Sequence, residues 1–332
     1  MNKKTCCMHI VTYFFGLILS TSAVFSHAEE VAYLGKDGWL FYKYENFSEA
    51  DAPSIDKSIS LIGQFSRAME SRGIQVYMAI VPVKIRIYNN FLNDPLPKYI
   101  SDSYISIYKK LVENKVKVID LNAPFEKYAE DPENSEYPLF LKHDTHWSAA
   151  GALLAAETIG NRLKSDPASS HVLDLIPKID YQIQKKASKV RAKVGDLVAQ
   201  LPASAPKQDI EMIQVIRYIA PADSANSLTG DTHKSIALVG SSYSAPWTTF
   251  PSAIRYSLQR DMADTFVPAT LGSWQGMLAY LKDDSFKYNR PKILIWEIPE
   301  RDMIAPPEYK YREARYQMKS NDWLEQALAA MK

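Results

Sequence analysis

The chain has 332 residues, 46% of them hydrophobic, 12 glycines and a formal charge of +1 at pH 7. That is enough apolar material for one sizeable core with a smaller lobe beside it, and disorder is excluded as the default state. The near balance of 39 basic and 38 acidic side chains also excludes nucleic-acid binding by bulk charge.

Residues 1–28 combine Lys3 and Lys4 with an apolar run from Met8 to Phe25 and the small-residue pattern Ser26-His27-Ala28. This reads as a signal peptide cleaved after Ala28. The alternative is a retained membrane anchor, since the run is close to the ~20 residues a span needs. Either reading exports the rest of the chain, and the expected location is the periplasm. Cys6 and Cys7 are the only cysteines, so residues 29–332 offer no thiol nucleophile and no thiolate metal site.

The next elements follow in order. GKDGWLFY, with Gly35 and Gly38 marking a turn, predicts a buried strand over Trp39–Tyr42. Pro53 at a first turn, apolar residues at Ile55, Ile59, Ile62, Phe65 and Met69, and a stop at Gly73 predict a helix. IQVYMAIVP, ending at Pro82, has the continuous apolar character of a strand covered on both faces. A helix over Tyr99–Val112 and the strand VKVIDL, ending near Leu121, continue a βαβ rhythm. Ser148 stands at the N-cap of a helix from Ala149 to Leu163. SIALVG (Ser235–Gly240) and KILIWEIP (Lys292–Pro299) predict two more buried strands, with a helix near Trp274, Met277, Leu278 and Leu281 between them. The fold class is therefore α/β: a mostly parallel sheet flanked by helices. Residues 166–233 break the rhythm. Alternating stretches such as YQIQKK and EMIQVIRYI predict a small mixed β insertion that shapes a substrate groove.

Ligands of open α/β sheets gather at the carboxyl ends of strands, and three motifs fall there. GSSYS (Gly240–Ser244) follows SIALVG directly. A serine on a tight strand-to-helix turn presents its hydroxyl above the sheet edge, with backbone N–H groups near enough to stabilise an oxyanion. Ser242 fits best, because Ser241 packs sideways and Ser244 already belongs to the next turn; taken alone, the motif reads more readily as a polar turn. HDTHWS (His143–Ser148) supplies an imidazole, His146, and a carboxylate two residues away, Asp144, the pair that activates a serine. The alternative is Asp144 as a helix cap and His146 as a surface imidazole. A metal site built from His143, Asp144 and His146 is disfavoured by their adjacent spacing, and the further candidates His171 and His233 lie in the irregular region. WEIPER (Trp296–Arg301) is the third motif. There Glu297 or Glu300 could accept hydrogen bonds and Arg301 could hold an anionic sugar or simply pair with a carboxylate, a structural role being the commoner one. Lys84 in VPVKIRIY could line the cleft or sit in a solvated basic loop, and Trp147, Tyr243 and Trp274 could stack on sugar rings, although core packing is the commoner role for aromatics.

GKDGWLFY, VPVK, DTHWS, GDL (Gly195–Leu197), GSSYS and WEIPER, in this order, resemble the alginate O-acetyltransferase family of the AlgJ/AlgX type, which includes relatives that acetylate bacterial cellulose. The resemblance spans nearly all of residues 29–332. It implies an SGNH hydrolase-like fold in circularly permuted order, because Asp-x-His precedes the serine, and it carries the catalytic roles onto Asp144, His146 and Ser242. It further implies a periplasmic enzyme without a cofactor, an exopolysaccharide substrate, and a membrane-bound O-acyltransferase as the acetyl source alongside other export and modification subunits. Only a short helical tail is expected after Pro299, which points to the single-domain AlgJ branch. An acetylesterase would use the same residues, and a non-catalytic polysaccharide-binding subunit of an export complex is the reading from a different class.

Overall fold

A computed structural model describes residues 31–221, 234–310 and 314–332. The expected signal peptide, residues 1–28, lies outside the described residues, as does the end of the expected insertion at 222–233.

The chain opens with an antiparallel hairpin of β1 (Ala32–Leu34) and β2 (Leu40–Tyr42), so the buried strand expected at Trp39–Tyr42 stands apart from the main sheet. Next come α1 (Ala52–Glu70), with a proline in its first turn, and β3 (Gln75–Val81). A short α2 (Lys84–Ile87), α3 (Lys98–Glu113), β4 (Lys117–Ile119) and α4 (Asn122–Glu130) follow. α5 (Ala149–Ser165) is capped by the Ser148 side chain, which accepts from the amides of Ala150 and Gly151.

The predicted irregular region begins with order. α6 (Pro167–Asp174) forms because Asp166 caps it and Pro167 occupies its first turn. Beyond it, β5 (Gln182–Lys185), β6 (Val190–Arg191), β7 (Met212–Ile213) and β8 (Ile216–Ile219) make two small antiparallel pairs, β5 with β8 and β6 with β7. The main rhythm returns with β9 (Ile236–Gly240), α7 (Phe250–Leu258), β10 (Ala263–Phe266), α8 (Gly272–Lys282), α9 (Asp284–Tyr288), β11 (Ile293–Pro299) and α10 (Ser320–Ala330).

Five strands form the central sheet in the order β10-β9-β11-β3-β4, and every neighbouring pair is parallel. Side chains alternate across it with the two-residue period of a strand. From β11, Ile293 and Ile295 pack under α5 and α7, whereas Leu294, Trp296 and Ile298 pack against α1, α8 and α10. The result is a three-layer sandwich with one core on each face of the sheet. After β9 the chain leads to one edge, and after β3 to the other, with β11 between them. Connections that diverge in this way open a crevice at the strands' carboxyl ends, and the loops after β9, β11 and β3 all leave from there.

Candidate active site

The serine loop is organised by one buried carboxylate. Glu297 of β11 is fully buried and accepts from the Ser241 amide at 2.8 Å, the Ser241 hydroxyl at 2.9 Å and the Ser244 hydroxyl at 2.8 Å. Burial pushes Glu297 up to about 7, against the opposing pull of the serine donors. Gly240 makes the arrangement possible, since a Cβ there would lie 2.0 Å from Ser244 Oγ and 2.6 Å from Glu297 Oε2. Ser241 Oγ also accepts from the Tyr243 amide at 3.2 Å. With both flanking hydroxyls engaged, the Ser242 hydroxyl has no partner among the described residues, and no backbone acceptor takes its N–H.

The histidine loop lies between α4 and α5. A bridge between Phe140 and Trp147, with the Leu141 amide donating to the His146 carbonyl at 3.0 Å, folds it back on itself. Lys84 is the pin at its base. Its buried ammonium donates to the carbonyls of Leu40 and Leu141 at 2.7 Å, Lys142 at 3.0 Å and Asp144 at 3.1 Å. Burial pulls Lys84 down to about 8, although Glu45 and other acids nearby favour its charged form. On the outer side, Glu211 of the insertion accepts from the amides of Lys142 at 2.6 Å and His143 at 3.1 Å.

Held in this way, Asp144 Oδ1 lies 2.6 Å from His146 Nδ1 and accepts from the His146 amide at 2.9 Å. Desolvation alone would raise the Asp144 pKa. The imidazole and two backbone donors outweigh it and hold the carboxyl at about 2. With Nδ1 turned to the carboxylate, His146 Nε2 is buried and without a hydrogen-bond partner. The insertion contributes a second carboxylate: Asp196 accepts from the Thr145 amide at 2.8 Å and the Thr145 hydroxyl at 2.5 Å, and its own amide donates to Asp144 Oδ2 at 3.1 Å. Gly195 permits this approach, because a Cβ there would lie 1.9 Å from the His143 carbonyl oxygen.

Tyr243 joins the two loops. Its hydroxyl donates to the Thr145 carbonyl at 2.6 Å and accepts from Arg301 at 3.1 Å, and its ring centroid lies 5.2 Å from that of His146. Ser242, His146, Asp196 and Arg301 line a single cavity of about 690 Å3, with Tyr44 and Tyr309 also in its wall. This is the size of a typical small-molecule site. The structure thus brings Asp144 onto His146 and brings His146 and Ser242 to one cavity, with no hydrogen bond between the last two. Such bonds commonly tighten only when substrate binds.

Of the five residues expected to contact substrate, only Arg301 lines this cavity. Lys84 and Tyr243 are consumed by the contacts just described. Trp147 is 1% exposed, edge-on to Tyr243 and packed on Phe250. Trp274 is 6% exposed; its indole N–H donates to the Ala305 carbonyl at 2.8 Å, and its ring packs edge-on to Trp296 and Trp323, which fastens α10 to the body. Tyr42, Tyr44 and Tyr309 line the cavity instead; Tyr42 was read only as part of a buried strand, and the other two were not singled out in the sequence. Neither was Asp196, whose only signal was the GDL motif.

The metal reading changes its membership. His143 turns toward Glu211, at 4.0 Å, and His171 lies on α6, while His233 is outside the described residues. Asp144, His146 and Asp196 instead present donor atoms within 4.8 Å of one another. These atoms already bond to each other and to Thr145, so a cation would have to displace the pairing that orients His146.

Comparison with known proteins agrees with this fold. The family model for the SGNH hydrolase-like domain of the acetyltransferase AlgX matches residues 32–300. A protein of Pseudomonas fluorescens described as "Probable alginate O-acetylase AlgJ" is 30% identical over 289 residues, which are 84% of this chain and 70% of that protein. The solved O-acetyltransferase domain of Pseudomonas putida AlgJ superposes with a TM-score of 0.71 at 26% identity, covering 90% of this chain and 99% of that one. Pseudomonas aeruginosa AlgX shares the fold, with a TM-score of 0.66 at 18% identity over 89% of this chain and 67% of that one. The chain therefore belongs to the SGNH hydrolase-like acetyltransferase family of the AlgJ/AlgX type.

Proposed function

We propose that this chain is a periplasmic exopolysaccharide O-acetyltransferase in which Ser242, His146 and Asp144 act as a catalytic triad. In this reading Ser242 Oγ attacks an acetyl donor while His146 Nε2 takes its proton and passes it to the departing alcohol, and Asp144 holds the imidazole in the tautomer that leaves Nε2 free. The Ser242 N–H, which no backbone group uses, donates to the oxyanion. A sugar hydroxyl then enters the cavity and attacks the acyl carbon as His146 takes its proton; the bond to Ser242 Oγ breaks, His146 returns the proton to that oxygen, and the sugar leaves as its acetyl ester. One observation carries the proposal: an imidazole oriented at 2.6 Å by a carboxylate, its other nitrogen unpartnered, opens onto the same cavity as the one unengaged hydroxyl of GSSYS.

The signal peptide at 1–28, a single catalytic unit over 29–332 with its insertion at 166–233, and acetyl supply by a membrane-bound O-acyltransferase complete the reading. Among the described residues no helix is long and apolar enough to cross a membrane. The polymer is an exopolysaccharide such as alginate or cellulose. The test is mass spectrometry after reaction with p-nitrophenyl acetate, followed by addition of oligosaccharides. One acetyl group should appear on Ser242, be absent in Ser242→Ala, and pass to sugar. Acetate release without acetylated sugar, across uronate and glucan acceptors, would make the enzyme an esterase; label retained in Ser242→Ala would remove the triad.

A further inference from the structure

Ser242 stands at the junction of two cavities of very different size. The large one has been described. The second is about 30 Å3, and it too is lined by Ser242, Ala269, Arg301 and Asp302. A single water needs about 10–15 Å3 of such space. The small cavity therefore holds about two waters, the bulk of an acetyl group.

We propose that this recess, walled by Val267, Pro268, Ala269 and Pro299, is the acyl pocket that restricts transfer to acetyl and excludes longer acyl chains. The inference rests on the reading of Ser242 as nucleophile. The wall is apolar and offers no donor to a methyl group, whereas the opposite side carries Ser273, which donates to Asp302 at 2.8 Å, and Arg301. It is also stiff. The Val267 amide donates to the Gly240 carbonyl at 2.8 Å, at the root of the serine loop. The Val267 isopropyl group fits against the bare Cα of Gly276, where an added Cβ would lie 2.1 Å from Val267 Cγ1. A side chain seated in that notch cannot swing aside for an extra methylene. Pro299 is buried at the end of the central strand β11. Acyl group and sugar thus occupy separate compartments, and only the first is limited to a few atoms.

The test uses p-nitrophenyl acetate, propanoate and butanoate. In each acylation the Ser242 Oγ bonds the acyl carbon, the ester C–O bond breaks, nitrophenolate leaves as the anion, and the hydroxyl proton passes to His146 Nε2. Nitrophenolate release is followed for the unaltered protein, Val267→Ala, Ala269→Val and Ser242→Ala. The unaltered protein should lose about tenfold or more in rate per added methylene. Val267→Ala should raise the butanoate-to-acetate ratio at least about tenfold. Ala269→Val, at an exposed position that carries no folding load, should lower the propanoate-to-acetate ratio. The same chain-length profile in all three serine-containing proteins, with Ser242→Ala inactive, overturns the pocket and leaves the nucleophile standing. Acylation that persists in Ser242→Ala overturns the reading beneath it.

Discussion

The serine loop and the histidine loop meet at one cavity, yet buried charges of opposite sign fasten them. Glu297 gathers an amide and two hydroxyls from the first, and Lys84 gathers carbonyls from the second. The difference follows from what each loop leaves unpaired. The serine loop begins a helical turn, whose first N–H groups lack backbone acceptors, so an anion suits it. The histidine loop is folded back so that its carbonyls converge on one point, and only a donor-rich cation can satisfy them together. A buried charge is costly unless fully hydrogen-bonded, and here the loop is the partner that makes each charge tolerable. Neither anchor touches Ser242 or the Nε2 of His146, so in the proposed mechanism positioning and chemistry fall to different side chains.

Five substitutions press on that separation. Ser242→Ala should produce the largest effect: acetyl transfer falls by about three orders of magnitude or more, while the denaturation midpoint stays within about 0.5 kcal/mol of the parent. A large stability loss would mean that Ser242 is an anchor after all. Lys84→Met deprives the carbonyls of Leu40, Leu141 and Asp144 of their donor and should cost on the order of 3–5 kcal/mol in chemical denaturation. An unchanged midpoint would show the histidine loop to be self-supporting.

Glu297→Gln keeps the shape but turns one acceptor into a donor, and should cost about 1–2 kcal/mol at acid pH, where the carboxyl's contribution is complete. Its pH signature is more telling. A carboxyl raised from an ordinary 4.5 to about 7 contributes stability that is complete below 4.5 and is lost as pH rises through about 7. Melting temperature against pH should therefore lose that slope in Glu297→Gln. The Asp144 contribution has the opposite sign, being complete above the ordinary 3.8 and lost as pH falls through about 2. The smallest effect belongs to Tyr44→Ala at the cavity wall, which should raise KM a few fold with kcat unchanged. Trp274→Phe should lower stability and leave KM alone. The reverse pattern would return Trp274 to the substrate.

Much of this architecture was legible from residue order. IQVYMAIV, IALVG and ILIWEIP read as buried strands because parallel strands covered on both faces need apolar side chains at every position, and Ser148 announced α5 through its capping chemistry. The edge strand β10 was missed because Ala263, Asp264 and Thr265 face partly outward and carry no such run. In the site, Asp144, His146 and Ser242 drew notice because motif and strand end coincide. Lys84, Trp147, Tyr243 and Trp274 were misplaced for a common reason. Residue type announces a capacity to bind a sugar or an anion, but only the fold reveals that Leu141, Phe250, Thr145 and Ala305 already use that capacity. Asp196 was overlooked because it reaches Asp144 from an irregular segment about fifty positions away, where no periodicity could link the two.

The bonding around Glu297 also bears on chemical labelling. Ser241 and Ser244 already donate their hydroxyls to that carboxylate, and they differ from Ser242 in environment rather than in intrinsic reactivity. A fluorophosphonate applied to the folded protein should therefore modify one serine among three packed into four positions, and a tryptic digest should recover the adduct there alone. Unfolding would erase that selectivity, because the discrimination belongs to the loop's bonding and not to its composition.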